Sequence, residues 1–119
     1  MIQKLEITGI HLKIDDDLRK YVVRKIGKLD HYMSRHARES VHAEVLLKES
    51  KLKNKKQCTC EVIMKLPMET LATKESTLNM YAAVDIVEAK LKNQLKKYKD
   101  KHSRRGLHRR VFARLKRTP

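Results

Sequence analysis

The first forty residues change from a strand-like to a helical hydrophobic pattern. Leu5 and Ile7 alternate with polar neighbours between Gln3 and Ile10, which predicts a half-buried strand. After three aspartates, apolar residues recur at spacings of four, four, three and four: Leu18, Val22, Ile26, Leu29 and Met33. This period predicts an amphipathic helix of about 18 residues, capped at its start by an aspartate.

The middle of the chain predicts three further strands. The odd positions from Val41 to Leu47 are apolar, and so are the even positions from Cys58 to Leu66. Each alternation is typical of a strand with one buried face. The polar stretch 48–56, with five lysines, is predicted to be a loop. Pro67 then interrupts the pattern, so residues 57–66 and 69–74 are expected to form a hairpin around it.

A second, longer helix is predicted from Ser76 or Thr77 to about Asp100. Its apolar stripe consists of Met80, Val84, Val87, Leu91, Leu95 and Tyr98. The element order is therefore β-α-β-β-β-α. Because both apolar stripes need the same sheet to cover them, the sequence predicts an α+β fold with a four-stranded, mainly antiparallel sheet and two helices on one face.

Positive charge is concentrated at the end of the chain. The 119 residues carry a formal net charge of +15, and the last 19 hold eight Lys or Arg side chains without a carboxylate. We therefore expect a moderately basic domain, residues 1–101, and a basic tail, residues 102–119. Self-repulsion makes such an excess costly without a polyanionic partner. Nucleic acid is the first candidate, and an anionic membrane surface is the second.

Several protein classes do not fit the sequence. The longest apolar stretch, 80–84, is too short to cross a bilayer, and no signal-type block opens the chain, so we expect a cytoplasmic protein without a membrane span. Three widely spaced glycines cannot form a Gly-rich phosphate loop. Cys58 and Cys60 point to one face of a strand and are predicted to be buried rather than to bind metal. Without a visible nucleophile–base pair or metal motif, we expect no enzyme, cofactor, metal or small-molecule substrate.

Cations follow one edge of each predicted helix. On the first helix, Tyr21, Lys25, Lys28 and Tyr32 form a stripe, with Arg24 and His31 just beyond it. On the second, the edge consists of Lys90, Lys97 and Lys101, with Asn93 and Gln94 between them. If the helices lie side by side, the two edges form one surface. Lysines there would meet phosphates, while tyrosines and amides would meet sugars or bases.

Two segments resemble a known family. They are R-K-I-G-K-L at 24–29 and N-M-Y-A-A-V-D at 79–85, followed by Lys90-Leu91, Gln94-Leu95 and Lys97-Tyr98-Lys99. In these, residues 1–101 resemble the ribosome hibernation promoting factor family, also called ribosome-associated inhibitor A or the σ54 modulation protein family, in a short form. Asn79 stands where the family usually has Asp, and Asn93 stands where an Arg is common. The tail matches neither the acidic tail nor the dimerisation domain of other members.

The resemblance implies a fold similar to double-stranded RNA-binding domains. It also implies binding to rRNA in the decoding channel of the small ribosomal subunit and of the intact ribosome, where the protein occupies mRNA and tRNA positions. Translation would then be silent under stress or in stationary phase. The family's conserved basic positions fall on Lys25 and Lys28 of the first helix, and on Lys90, Lys97 and Lys99 of the second.

Two other functions remain open from the residues alone. The same basic surface suits a general double-stranded RNA-binding module without a ribosomal target. An exposed edge strand or the tail also suits a protein-interaction role, such as modulation of a transcription factor. Whether ribosome dimers are promoted or prevented is not determined by the sequence.

Overall fold

The structure, a computed structural model, describes residues 1–102 and has the predicted α+β element order with one short helix added. The predicted basic tail lies outside the described residues, except for His102. The elements are β1 (Lys4–Ile10), α1 (Asp16–Gly27), a 3₁₀ helix (Lys28–Tyr32), α2 (Arg35–Ser40), β2 (His42–Leu52), β3 (Lys55–Leu66), β4 (Glu69–Thr77) and α3 (Met80–His102).

The four strands form one sheet in the order β1-β2-β3-β4. β1 and β2 are parallel, with α1 in the connection between them, while β2–β3 and β3–β4 are antiparallel hairpins. A parallel pair needs a long crossover, and α1 with the 3₁₀ helix supplies it. The prediction of a mainly antiparallel, four-stranded sheet is confirmed.

The core lies between the sheet and the two long helices. From β2 and β3 the alternating residues Ala43 to Leu47 and Cys58 to Leu66 are buried. Every residue of the two predicted helical stripes is buried against them, which confirms that both helices cover the same face. On the opposite face, Lys65 and Lys74 are exposed. The sheet therefore has one apolar face and one polar face.

The first helix is shorter than predicted. Asp15 caps it as expected, since its Oδ1 accepts a hydrogen bond from Leu18 N at 2.7 Å. The α-helix ends at Gly27, however, and residues 28–32 form a 3₁₀ helix. A Cβ at position 27 would lie 2.8 Å from Cε of Met1, so the glycine leaves room for that side chain. Leu29 and Met33 are still buried, because the 3₁₀ turn continues around the core.

The prediction that residues 48–56 form a loop is wrong. β2 continues to Leu52 and β3 begins at Lys55, so the connection is a two-residue turn. Lys53 and Asn54 have φ angles of 52° and 64°, as a type I′ hairpin turn requires. The alternation is missing from this segment because neither of its faces is buried, and a hydrophobic pattern reports burial rather than backbone conformation.

The start of α3 also differs from the prediction. Ser76 and Thr77 belong to β4 rather than to a helix cap. Asn79 caps the helix instead: its Oδ1 accepts hydrogen bonds from Tyr81 N at 2.8 Å and Ala82 N at 3.4 Å. The short helix α2 was not predicted, because its six residues bury only Ala37 and so show no hydrophobic periodicity.

The buried thiols give a first prediction. Burial raises the pKa of Cys60 to about 12, and Cys58 is buried beside it on β3. The thiolate of Cys60 is therefore scarce at pH 8, and burial keeps the reagent away from both sulfurs, so we expect iodoacetamide at about pH 8 to leave both cysteines unmodified in the folded protein. Intact mass should show no adduct natively and two after unfolding in urea. An adduct formed without urea would contradict the packing of β3.

The β3–β4 turn gives a second prediction. Met68 follows Pro67 with a φ of 72°, and its side chain is 88% exposed. A side chain in this conformation is strained, whereas glycine is not. We expect Met68→Gly to raise the free energy of unfolding by about 0.5–1 kcal/mol in urea denaturation. Met68→Ala keeps the Cβ and should give no such gain; an equal gain from alanine would argue against backbone strain.

Candidate nucleic-acid interface

A cluster of polar side chains links α1 to α3. The hydroxyl of Tyr21 donates a hydrogen bond to Oδ1 of Asp85, and its ring packs edge-on against Tyr81 with 4.8 Å between centroids. Nζ of Lys25 lies 3.6 Å from Oδ1 of Asp85 and 3.5 Å from Oε2 of Glu88. These contacts hold the middle and last turn of α1 beside the first turns of α3.

The contacts in this cluster favour the protonated forms of Tyr21 and Lys25. The hydrogen bond to Asp85 raises the pKa of Tyr21, because the bond needs the protonated hydroxyl. Glu88, followed by Tyr21 and Asp85, raises the pKa of Lys25 by favouring its charged form. Lys25 therefore stays cationic at neutral pH, but its charge is balanced by two carboxylates.

Next to this cluster, beyond the C-terminal end of α1, cations from both helices line a cleft. Its walls include Arg24, Lys25, Lys28, His31 and Tyr32 from the α1 side and Glu88 from α3. Lys92 and Lys96 of α3 place Nζ at 5.2 Å and 5.8 Å from the ring centroid of Tyr32. The basic cleft is defined here by these residues: Arg24, Lys25, Lys28, Tyr32, Lys92 and Lys96.

The cations of the basic cleft differ in how they are balanced. Lys25 is held by Asp85 and Glu88, whereas no carboxylate within residues 1–102 forms an ion pair with Lys28, Lys92 or Lys96. Tyr32 supplies an aromatic face beside them. Ammonium groups around an aromatic ring suit phosphates together with a stacked base or sugar. The arrangement therefore has the chemistry of a nucleic-acid contact.

The predicted α3 edge lies on the other flank of the helix. Nζ of Lys90 is 2.5 Å from Oε2 of Glu75 on β4, and Nζ of Lys101 is 4.0 Å from Oε2 of Glu69. Lys97 and Gln94 line a groove against the same strand. The expected single surface from the two edges is therefore not formed: α3, about 10–12 Å wide with its side chains, separates these lysines from the α1 cations.

Two cleft residues, Lys92 and Lys96, were missed by the sequence analysis. They continue from Glu88 at spacings of four, so a stripe was present. Lys99, seven residues after Lys92, falls on the same flank and is exposed. A helix on a sheet has two polar flanks, and spacing alone cannot tell which of them faces the neighbouring helix. That choice follows from the order of the strands.

Other kinds of site find less support. Within residues 1–102, no three His, Cys, Asp or Glu side chains are grouped as metal ligands would be. The longest helix of the same region, α3, is too polar to cross a membrane, and the shorter ones are no better suited.

Comparison with protein-family models confirms the resemblance found in the sequence. A family model described as "Sigma 54 modulation protein / S30EA ribosomal protein" matches residues 5–103. Two curated relatives are ribosome hibernation promotion factors, from Lactococcus lactis subsp. cremoris and Staphylococcus aureus. Each is 32% identical to this chain, over 102 and 103 residues, or 86% and 87% of it. The chain spans about half, 52%, of the length of these relatives.

Solved structures give the same result for the fold. The N-terminal domain of Thermus thermophilus Protein Y is 28% identical with a TM-score of 0.67, covering 82% of this chain and 99% of that domain. A ribosomal subunit interface protein from Coxiella burnetii, 24% identical, has a TM-score of 0.64 over 80% of this chain and 96% of its own. This chain belongs to the Sigma 54 modulation protein / S30EA ribosomal protein family.

Proposed function

We propose that this protein is a ribosome hibernation factor that acts by binding and not by catalysis. It binds rRNA of the small subunit in the decoding channel, occupies mRNA and tRNA positions, and silences translation in the cytoplasm under stress or in stationary phase. The family match over residues 5–103 carries the proposal, since its curated relatives bear the name ribosome hibernation promotion factor. The basic cleft between α1 and α3 supports it.

The basic cleft is the primary rRNA contact in this proposal. Lys28, Lys92 and Lys96 bind phosphates, because their charges have no carboxylate to balance them within residues 1–102. Arg24 adds charge at the rim, next to Lys25, which shares its charge with Asp85 and Glu88. Tyr32 offers its ring to a sugar or base. Each phosphate contact releases counterions, so binding is strong at low salt and weakens steeply as salt rises.

The flank of α3 that faces β4 forms a second contact with the rRNA, outside the cleft. Lys90, Lys97 and Lys101 follow one another at spacings of seven and four, with Gln94 among them. An RNA backbone that crosses α3 would contact Lys99 on the cleft side of the helix and these lysines on its other side. The eight cations of residues 101–119 extend the footprint along neighbouring RNA, while residues 1–101 carry the recognition itself.

Removal of charge from the basic cleft tests the proposal. We expect the triple variant Lys28→Gln, Lys92→Gln, Lys96→Gln to lose about 100-fold in affinity for small subunits near 0.1 M salt, with a salt slope smaller by about 2–3. Co-sedimentation on sucrose gradients across a salt series measures both. Lys25 is left unchanged because its ion pairs link α1 to α3.

The matched control removes three charges from the opposite side of the molecule. Lys4, Lys65 and Lys74 are exposed on the polar face of the sheet, and their replacement by Gln should leave binding unchanged. Equal losses in both variants would mean that net charge alone drives association. Equal retention of the parent protein by an unrelated long RNA duplex would favour the general double-stranded RNA-binding module instead.

A further inference from the structure

The β2–β3 hairpin extends beyond both neighbouring strands. The last β1–β2 pair is Ile10 with Lys48, and the first β3–β4 pair is Cys58 with Thr77. Residues 49–57 therefore form an isolated two-stranded ribbon, called the finger below. At about 3.3 Å per residue, it projects roughly 13 Å from the sheet.

The finger is strongly basic and contributes little to the core. It holds four lysines (51, 53, 55 and 56) and one acid, Glu49, for a net charge of +3. All four lysines are exposed, and Leu52 at the tip is 66% exposed. The fold therefore does not need this sequence for burial.

Two features of the finger work against its own stability. Lys51 and Lys56 are directly opposite each other across the two strands, and like charges in that position repel. Oε1 of Glu49 lies 3.6 Å from Nζ of Lys56, in a partly exposed ion pair that adds little to stability. Lys53 also occupies a left-handed turn position that favours Asn, Asp or Gly. A bound anion would offset the repulsion.

The lysines point to both faces of the ribbon. By the period of two, Lys51 and Lys56 lie on the helix side, while Lys55 lies on the polar side of the sheet and Lys53 lies at the tip. A flat membrane surface would favour charges on one face. A ribbon that enters a groove of an RNA helix meets phosphate backbones on both sides, which matches this distribution.

We propose that the finger is a second RNA-binding element, separate from the basic cleft, that contacts the phosphate walls of a groove in an rRNA helix. The inference rests on the proposed function and deepens it. The cleft lies between the two helices, whereas the finger leaves the body of the molecule at the edge where β1 and β4 end. The finger thus adds a further contact with the ribosome to those made by α1 and α3.

The test uses the full chain with Lys51→Gln, Lys53→Asn and Lys55→Gln. Asn suits the positive φ at position 53, and Lys56 keeps its ion pair with Glu49. We expect at least about a tenfold loss of affinity for small subunits near 0.1 M salt, and a salt slope smaller by about 2. Thermal unfolding should be unchanged or shifted upward, because the Lys51–Lys56 repulsion is gone. The Lys4, Lys65, Lys74 variant is the matched control.

The two proposals fail in different ways. If the cleft variant loses binding and the finger variant binds like the control, the finger inference is overturned and the proposed function stands. If the parent protein is not retained by small subunits at all, both are overturned. If the finger and control variants lose binding equally, the effect is one of net charge and the finger has no separate role.

Crosslinking identifies what the finger touches. A benzophenone amino acid at Leu52, irradiated in the complex with small subunits, should give a crosslink that nuclease removes, with the site mapped on rRNA. A crosslink to a ribosomal protein instead would overturn the inference. So would retention of the parent, but not of the finger variant, on anionic lipid vesicles while both bind small subunits equally.

Discussion

Burial of the α1 and α3 stripes on one face of the sheet is the interaction on which the other features depend. Val22, Ile26, Leu91 and Leu95 are fully buried there, together with the inward residues of β2 and β3. Each such side chain contributes about 1.5–3 kcal/mol relative to exposure. Because both helices share one face, they lie side by side, and a cleft between them is unavoidable.

The polar cluster that joins α1 to α3 determines which of the cleft's positive charges are balanced by carboxylates. Exposed ion pairs such as Lys25–Asp85 are weakened by the surrounding water and salt, so they add little to stability. Their effect is on position. Asp85 and Glu88 draw Lys25 between the helices and reduce repulsion where cations of α1 and α3 meet. Further along the cleft, Lys28, Lys92 and Lys96 form no ion pair with a carboxylate of residues 1–102, so their charges are left unbalanced there.

The structure thus sorts the cations of the described region by their partners. Lys90 pairs with Glu75 at the sheet edge, and Lys25 pairs with Asp85 and Glu88. Lys28, Lys92, Lys96 and most of the finger lysines, by contrast, form no ion pair with a carboxylate of residues 1–102. Repulsion within such groups is a standing cost in the free protein. Binding to a polyanion relieves this repulsion. A polyanionic partner therefore explains why a chain with a modest core carries a net charge of +15.

The sequence by itself determined the elements that bury one face. The alternation of β2 and β3 and the stripes of α1 and α3 were predicted residue by residue, because burial imposes a period of two or 3.6. The loop prediction for 48–56 was wrong for the same reason: the finger is extended but buries neither face, so it shows no period. The positions where helices and strands end depend on contacts that residue spacing does not show. One example is the packing of Met1 against Gly27, the last residue of α1.

Only the tertiary structure decided which cations share a surface. Lys90, Lys97 and Lys101 follow a regular stripe, and so do Lys92, Lys96 and Lys99. Both flanks of α3 satisfy the helical period equally well. The position of α3 over β3 and β4, with α1 on its other side, turns Lys92 and Lys96 toward Tyr32 and Lys90 toward Glu75. The local pattern is set by side-chain period, whereas the meeting of two helix flanks is set by strand order, which is a long-range property of the chain.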